Sequence, residues 1–544
     1  MTTTPATGTP TGTPGTGTTA TGTSAAPGTA LKAPNKVIAG GTTLLGRLDR
    51  MLGRVTMYRL VLIVLAVLAV YSIVLAAFDV LFFSPGAMLV SLAIAAVTVY
   101  GSSWIAAKVV GAHTHLESSL ITALLLFFLL WPDLSGGYLL AVALAGVFAG
   151  LSKFVLAWRG RHIANPAAIG VVLVTVIGQG ASVWWVASEA LFWPTLVGAL
   201  LVLFRTRRLG FALIFVIPAL LMTIKAQTDF GATLGAGIET ALYSAPILFL
   251  AGFMLSEPLT QAPLRWQRAV VALVVAFLYV QPLYFPDLFI SFTPELALVV
   301  GNVIAFCFGQ RKGLDLTLRE RKEIAPGLHE LTFSSRRKLR SRAGQYLELQ
   351  LPHRADSRGT RRVFSLVSSP NSDDVAIATR VPAEKSSTYK QALAGLEPGQ
   401  QVRATGVAGD FLLPRRLDRK VALVAGGIGV TPFVAQVRHL RETGEHRDVV
   451  MIYATASTSD LAYLDELGGV PGVVVSPDRP PALPAGWSWH QAPFVGKDAL
   501  EQSVPDLAER SVYVSGPPAM VAAVRRSAKQ AGARRVHTDA FTGY

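Results

Sequence analysis

Two kinds of residue in this 544-residue chain have the types and spacing to do chemistry. The first is glycine. In VAGGIGVTP, Val424 to Pro432, an apolar strand-like run breaks into Gly426, Gly427 and Gly429 and then into helix-compatible sequence. Glycines let a backbone approach phosphates closely, and the helix start beyond them offers free N–H groups and the positive end of its dipole. A plain tight turn uses the same residues, so the motif alone leaves both readings open. The second kind is polar side chains among apolar neighbours. RGRHIANPAA, Arg159 to Ala168, holds Asn165 as a candidate helix cap with Pro166 in the first turn. DFGATLG, Asp229 to Gly235, offers the Thr233 hydroxyl with glycines leaving space around it. His113, His115, Glu117, Ser118 and Ser119 are answered by Ser256, Glu257 and Thr260. Such groups either satisfy helix ends or line a cofactor or ion site.

The elements that must position these residues differ sharply between the two halves. Hydrophobic residues make up 51% of the chain and the mean hydropathy is +0.46, too apolar on average for a soluble protein. Ten apolar spans are expected near 58-80, 87-110, 118-132, 136-157, 167-186, 189-204, 209-224, 238-254, 267-285 and 291-309. Arg47, Arg50 and Arg54 precede the first. Basic residues then mark every even-numbered boundary: Lys108; Lys153, Arg159 and Arg161; Arg205, Arg207 and Arg208; Arg265 and Arg268; Arg311 and Lys312. The odd connections carry little positive charge except Lys225. By the positive-inside rule both termini then face the cytoplasm, as in a multi-pass protein of a bacterial inner membrane. The same pattern accounts for much of the net charge of +15 without nucleic acid, for which no aromatic-interleaved basic face is present. Cys307 is the single cysteine, which forbids an intrachain disulfide and any all-cysteine iron–sulfur or zinc site.

Residues 1-36 are Thr, Gly, Pro and Ala-rich and are expected to be disordered, without the basic start and apolar run of a signal peptide. A transmembrane domain over 37-310 should follow. From 311 to 416 short alternating strands with Gly and Pro turns predict an all-β barrel. From 417 to 544 strands alternate with helical runs, the pattern of an open α/β sheet.

In the C-terminal half four motifs occur in order: RVFS (Arg362 to Ser365), SST (Ser386 to Thr388), GGIGVTP (Gly426 to Pro432) and SGPPAM (Ser515 to Met520). In these, residues 312-544 resemble the ferredoxin-NADP reductase family, a FAD-binding barrel followed by an NAD(P)-binding α/β domain. The resemblance implies that Arg362 pairs with the FAD pyrophosphate, that Phe364 stacks on the flavin where relatives have tyrosine, and that Ser365 lies near its reactive nitrogen. Ser387 and Thr388 would contact phosphate. Gly426, Gly427, Gly429, Thr431 and Pro432 would receive the dinucleotide, and Ser515, Gly516 and Pro517 would line the nicotinamide pocket, with serine where many relatives have cysteine. Phe541 would cover the flavin ring, and Asp539 stands where relatives often have glutamate. Thr455 to Thr458 are hydroxyl-rich but uncharged, which leaves NADH and NADPH both open.

HLESSLITALLL, RHIANPAAIG and MLSEPLTQAP, in that order, resemble the flavin-binding membrane family of the Rnf complex D subunit and the B subunit of sodium-translocating NADH:quinone reductase. That resemblance implies covalent FMN on Thr233, attached by a flavin transferase, and a further non-covalent flavin in the membrane domain. Gly231, Ala232 and Thr233 match the attachment loop, with Phe230 in place of its serine. The two resemblances together imply an NAD(P)H-dependent oxidoreductase that moves electrons through FAD and FMN to an extracytoplasmic acceptor. The alternatives are a quinone reductase, a haem enzyme of the ferric-reductase type, and a redox-driven ion pump. Haem needs paired histidines on neighbouring spans, whereas His113, His115 and His162 are all expected near one face.

Overall fold

The computed structural model describes Leu52 and residues 55-158, 161-281, 284-285, 290-309, 313-356, 358-381, 387-480 and 482-541. The predicted N-terminal tail, Arg47, Arg50, Arg54, Arg159, Arg311, Lys312 and Ser386 lie outside them.

The first half is helical, with segments at the places of the ten apolar spans: α1 (Met57–Ala77), α2 (Pro85–Val109), α3 (Leu116–Leu129), α4 (Gly136–Val155), α5 (Pro166–Val176), α6 (Glu189–Arg205) and α7 (Leu209–Asp229). Then come α8 (Leu234–Ser244, continuing after a 43° bend as Ile247–Leu255), α9 (Arg265–Val280) and α10 (Pro294–Phe308). Several starts are capped by the residue the sequence provides. Thr56, Ser84, Asn165, Thr233 and Thr293 each accept a backbone N–H three residues on.

Four helices, α1, α2, α4 and α7, are long and apolar enough to cross a membrane, or five with the bent pair α8. The expected spans change shape for local reasons. The run 167-186 is not one helix: α5 stops at Val176 because Gly178 takes φ 72°, and Ser182 to Trp184 continue without helix. The run 238-254 is broken ahead of Pro246 and wound as π-helix on both sides. Close helix packing comes from GVFAG in α4. A Cβ at Gly146 would stand 2.0 Å from Thr98 Oγ1, and one at Gly150 2.0 Å from Ser102 Oγ, so only glycine admits α2 this closely.

The second half holds two six-stranded sheets. The antiparallel sheet contains β1 (Leu314–Ala325), β2 (Leu328–Ser335), β3 (Tyr346–Gln350), β4 (Arg361–Ser365), β5 (Asp374–Arg380) and β6 (Gln401–Ala404), in the order β4-β3-β6-β1-β2-β5. Its inward residues Leu316, Leu318, Phe333, Leu347 and Leu349 form one core with Tyr389 of α11 (Thr388–Ala394). The parallel sheet contains β7 (Val421–Gly426), β8 (Val449–Ala454), β9 (Gly472–Ser476), β10 (Trp487–Gln491), β11 (Ser511–Gly516) and β12 (Arg535–Ala540), in the order β10-β9-β8-β7-β11-β12. Every residue of β7 is buried, as a central strand covered on both faces requires. From β7 the chain builds outward on one side through β10, then returns to place β11 on the other. A crevice therefore opens beyond the strand ends between β7 and β11, the usual ligand position in such sheets.

The antiparallel sheet turns its outward face to one end of the helical half. Arg161, between α4 and α5, pairs with Glu348 of β3 at 3.1 Å, and Arg265 of α9 pairs with Asp410 at 3.3 Å.

Candidate active site

The crevice between β7 and β11 is built by backbones in direct contact. A Cβ on Gly429 would lie 2.3 Å from Ser515 O and 2.5 Å from Gly516 Cα, and one on Gly426 would lie 2.3 Å from Met520 Sδ. Gly427 adopts φ 52° with open space around it. These glycines press the loop after β7 against the loop after β11 while leaving a free concave side. Thr431 opens α12 (Thr431–Thr443) with its hydroxyl donated to Ile428 O at 3.2 Å, and Pro432 fills the first turn without wasting an N–H. Ser515 is fully buried, and its hydroxyl oxygen has no hydrogen-bond partner among the described residues. An orphaned buried hydroxyl ordinarily penalises folding and points to a polar ligand group in the crevice. Gly516 O accepts from Phe541 N at 3.0 Å, which ties the C-terminal aromatic to the same loop as Pro517. Asp539 lies across from Ser515 in the β11/β12 register, and burial pushes its carboxyl up to about 6.

On the antiparallel sheet, strand alternation divides the RVFS motif between two faces. Arg362 and Phe364 point with Leu349 and Leu347 toward Tyr389. The Arg362 guanidinium stands 4.9 Å from the Tyr389 ring centre and donates to the carbonyls of Arg358 and Gly359. Phe364 stacks on Tyr389 at 6.2 Å and 29°. Tyr389, fully buried with its hydroxyl donated to Leu349 O, is a residue that sequence reading passed over, although it directly follows SST. Ser365 faces the other way, opposite Tyr346. Ser387 caps α11 by accepting from Lys390 N, and Thr388 Oγ1 accepts from Asp356 N at 3.0 Å, so both hydroxyls hold the loop beside Arg362 in place.

The helical half brings HLESSLITALLL, RHIANPAAIG and MLSEPLTQAP to one cleft. Asn165 Nδ2 donates to Glu257 Oε2 at 3.0 Å, and His162 Nε2 meets Glu257 Oε1 at 2.8 Å. Asn165 N donates to Asn302 Oδ1, and Asn165 Oδ1 caps α5 through Ala168 N. Around Glu257 lies a cleft of about 610 Å³, including its open mouth, whose polar rim is Tyr58, Ser118, Thr122, Thr206 and Ser256 and whose floor is apolar. Of the other expected residues, His115 caps α3 and rests 5.2 Å from the Tyr58 ring, Glu117 pairs with Arg59, and Ser119 is buried. His115 and His162 therefore lie at the same end of the helices. Tyr58, Asn302 and the Arg161–Glu348 pair carried no local sequence signal, because each is isolated in its own apolar or alternating run.

Arg161 joins the cleft to the sheet. It donates to Pro258 O and Leu259 O beside Glu257 and to Glu348 of β3. Tyr346, on the same sheet face, is held against Gly409, and burial raises its phenol with Arg208, Arg268 and Asp539 as charged neighbours. Thr233 is elsewhere. It is exposed at the N-cap of α8, after a 21-residue α7 that starts beside Arg208 and spans about 31 Å.

The antiparallel sheet and the parallel sheet with its crevice define a two-domain flavin reductase module, and comparison with known proteins places it. Residues 423–526 match the oxidoreductase NAD-binding domain family. The chain is 30% identical over 246 residues to the reductase subunit of an aromatic O-demethylase from Amycolatopsis sp., covering 42% of this chain and 70% of that protein. It is 28% identical to the stachydrine N-demethylase reductase subunit of Rhizobium meliloti, covering 37% of this chain and 58% of that protein. Among solved structures, an Amycolatopsis cytochrome P450 reductase is 28% identical with a TM-score of 0.35, covering 42% of this chain and 69% of that one. Through its C-terminal module this chain belongs to the ferredoxin-NADP reductase-like family of NAD(P)H-dependent flavin oxidoreductases. The residues present fit the cofactors of that family, with a glycine cradle and an orphaned Ser515 for the nicotinamide nucleotide and buried Arg362 and Tyr389 with half-buried Phe364 for FAD.

Proposed function

We propose that this flavin reductase carries electrons from cytosolic NAD(P)H across a bacterial inner membrane to an extracytoplasmic acceptor. The observation that carries the reading is the docking of the reductase sheet, by Glu348 and Asp410, onto the end of the helical half that holds the Asn165–Glu257 cleft. FAD held beside Arg362, Phe364 and Tyr389 would supply hydride uptake and single-electron release, which suits an exit toward the helices. The chain's own part is to hold Arg362 and the crevice glycines in place, to keep Ser515 out of water, and to fix the sheet against the cleft through Arg161.

Membrane residence is supported by the outward residues of the helices. Val67, Val70, Phe78, Val97, Trp104, Ile105 and Leu221 are exposed and apolar, a surface suited to lipid. In the full reading the ten helical segments make ten crossings, the short and bent ones packed within the others, with both termini cytoplasmic. About 30 Å of hydrocarbon is too wide for one electron step, so further cofactors are needed. The cleft suits a non-covalent flavin, with Asn165 and Glu257 as its polar partners. FMN on Thr233 suits the far side, where an exposed hydroxyl with Gly231 and Gly235 beside it is open to a flavin transferase. The amphipathic cleft also suits a quinone headgroup, which would end the route at the near side.

Proteoliposomes with the reductase module outward and ferricyanide trapped inside test the proposal. NAD(P)H added outside should reduce the enclosed ferricyanide; reduction of external acceptors alone refutes transfer across the membrane. Intact mass after coexpression with a flavin transferase should show an FMN increment that Thr233→Val removes. Quinone reduction that survives Thr233→Val, with no reduction inside, selects the short route.

A further inference from the structure

We infer that the junction of the two halves contains a binding site for a phosphate-bearing anion, supplied by an anionic phospholipid headgroup when the protein sits in a bilayer. The lipid source rests on the membrane reading above; the anion site does not. A second, shallow cleft of about 260 Å³, the open solvent at its mouth included, lies between the loop joining α4 to α5 and the outward face of the antiparallel sheet. Trp158, Arg161, Gln350, Arg361, Arg403 and Thr405 line it.

Three guanidinium groups thus converge from separate parts of the chain. Glu348 Oε2 answers two of them, Arg161 at 3.1 Å and Arg361 at 3.5 Å, and Arg361 also donates to Gln350 Oε1 at 2.8 Å. Arg403 is exposed at the rim, beside Gln350 in one register and Asp315 in the other. Among the described residues that line the cleft, three are arginines and none is a carboxylate. Arg161 and Arg361 are also largely withdrawn from water, with side chains 13% and 15% exposed. Guanidinium groups fanned around a recess match the oxygens of a phosphate, which they bind as forks rather than as point charges.

The surroundings favour a lipid as the source. Trp158 is 44% exposed beside the arginines and meets Phe306 of α10 edge-on at 6.4 Å. A half-exposed indole next to arginines at the end of an apolar helix is the composition of a membrane interface. A headgroup there would touch both halves and strengthen their docking, since Arg161 and Arg361 already share Glu348.

The test uses the full-length protein in nanodiscs of phosphatidylglycerol or phosphatidylcholine. Wild-type protein should unfold at a higher temperature in phosphatidylglycerol and retain that lipid through purification from mixed membranes. Arg403→Gln should reduce the retained phosphatidylglycerol about fivefold, the value of one arginine near an anionic surface, while Lys322→Gln, on an exposed strand position outside the cleft, should not. If inorganic phosphate protects wild-type but not Arg403→Gln protein in phosphatidylcholine, and phosphatidylglycerol adds nothing, the anion site stands and its source is free phosphate. Equal stability in both lipids, with no effect of phosphate on inserted protein, overturns the site. Failure to insert into either lipid refutes the membrane reading instead, and the phosphate arm then decides the site alone.

Discussion

Replacing Gly429 by alanine tests the contact on which the nicotinamide crevice depends. The added Cβ would stand 2.3 Å from Ser515 O, 2.5 Å from Gly516 Cα and 2.6 Å from Gly516 N. Ordinary contacts begin near 3.4 Å, so the two loops must part by roughly 1 Å, and all three obstacles are backbone. Overpacking of this kind costs about 1–3 kcal/mol, with the upper end expected where no side chain can swing away. Gly427→Ala is the internal comparison. It meets nothing within 4 Å but must keep φ 52°, at about 1–2 kcal/mol for the left-handed conformation. The first change spreads the nucleotide site, whereas the second strains the loop and leaves its position unchanged. With about 1.4 kcal/mol per tenfold, Gly429→Ala should raise KM for NAD(P)H about ten- to hundredfold, and Gly427→Ala less than about tenfold. Steady-state ferricyanide reduction with each nucleotide and thermal unfolding of the same preparations provide the measurements. An unchanged KM in Gly429→Ala, or a larger defect in Gly427→Ala, would refute the reasoning.

Three further outcomes are expected. The folded chain keeps Asp539 protonated up to pH about 6, whereas an unfolded aspartate ionises near 4, so the fold binds more protons in that window and stability falls as pH rises through it, by at most about 3 kcal/mol. Asp539→Asn should abolish that slope and raise the unfolding temperature above pH 6; identical pH profiles for the two proteins exclude it. Ser515→Ala removes a buried hydroxyl that has no partner among the described residues, so unfolding should be unchanged or slightly later while KM for NAD(P)H rises; a large loss of stability with unaltered KM would show the hydroxyl to be structural. Arg161→Gln breaks a largely buried ion pair and frees the carbonyls of Pro258 and Leu259, at about 3 kcal/mol. External ferricyanide reduction should persist in that variant while reduction of the enclosed acceptor falls; parallel loss of both would argue against a docking role.

What the sequence determined by itself is local. Asn165 ahead of Pro166 is a helix cap in the structure as in the sequence, because the side-chain oxygen accepts from Ala168 N and proline has no N–H left needing a partner. The alternating runs from Leu314 form the antiparallel sheet, and the glycines after Val424 lie between a buried strand and a helix. These features depend on residues within a few positions of one another. Tertiary structure decided everything that depends on distant neighbours. The resemblance assigned Arg362, Phe364 and Ser365 of RVFS to different parts of one FAD, and strand alternation sets Phe364 against Tyr389 and Ser365 opposite Tyr346. Glu257 and His162 are 95 residues apart in the chain, and Arg161 and Glu348 are 187 apart. No pattern in either segment announces its partner, because a carboxylate and a base attract wherever the fold brings them together, and only the packing of helices and sheet fixes where that is.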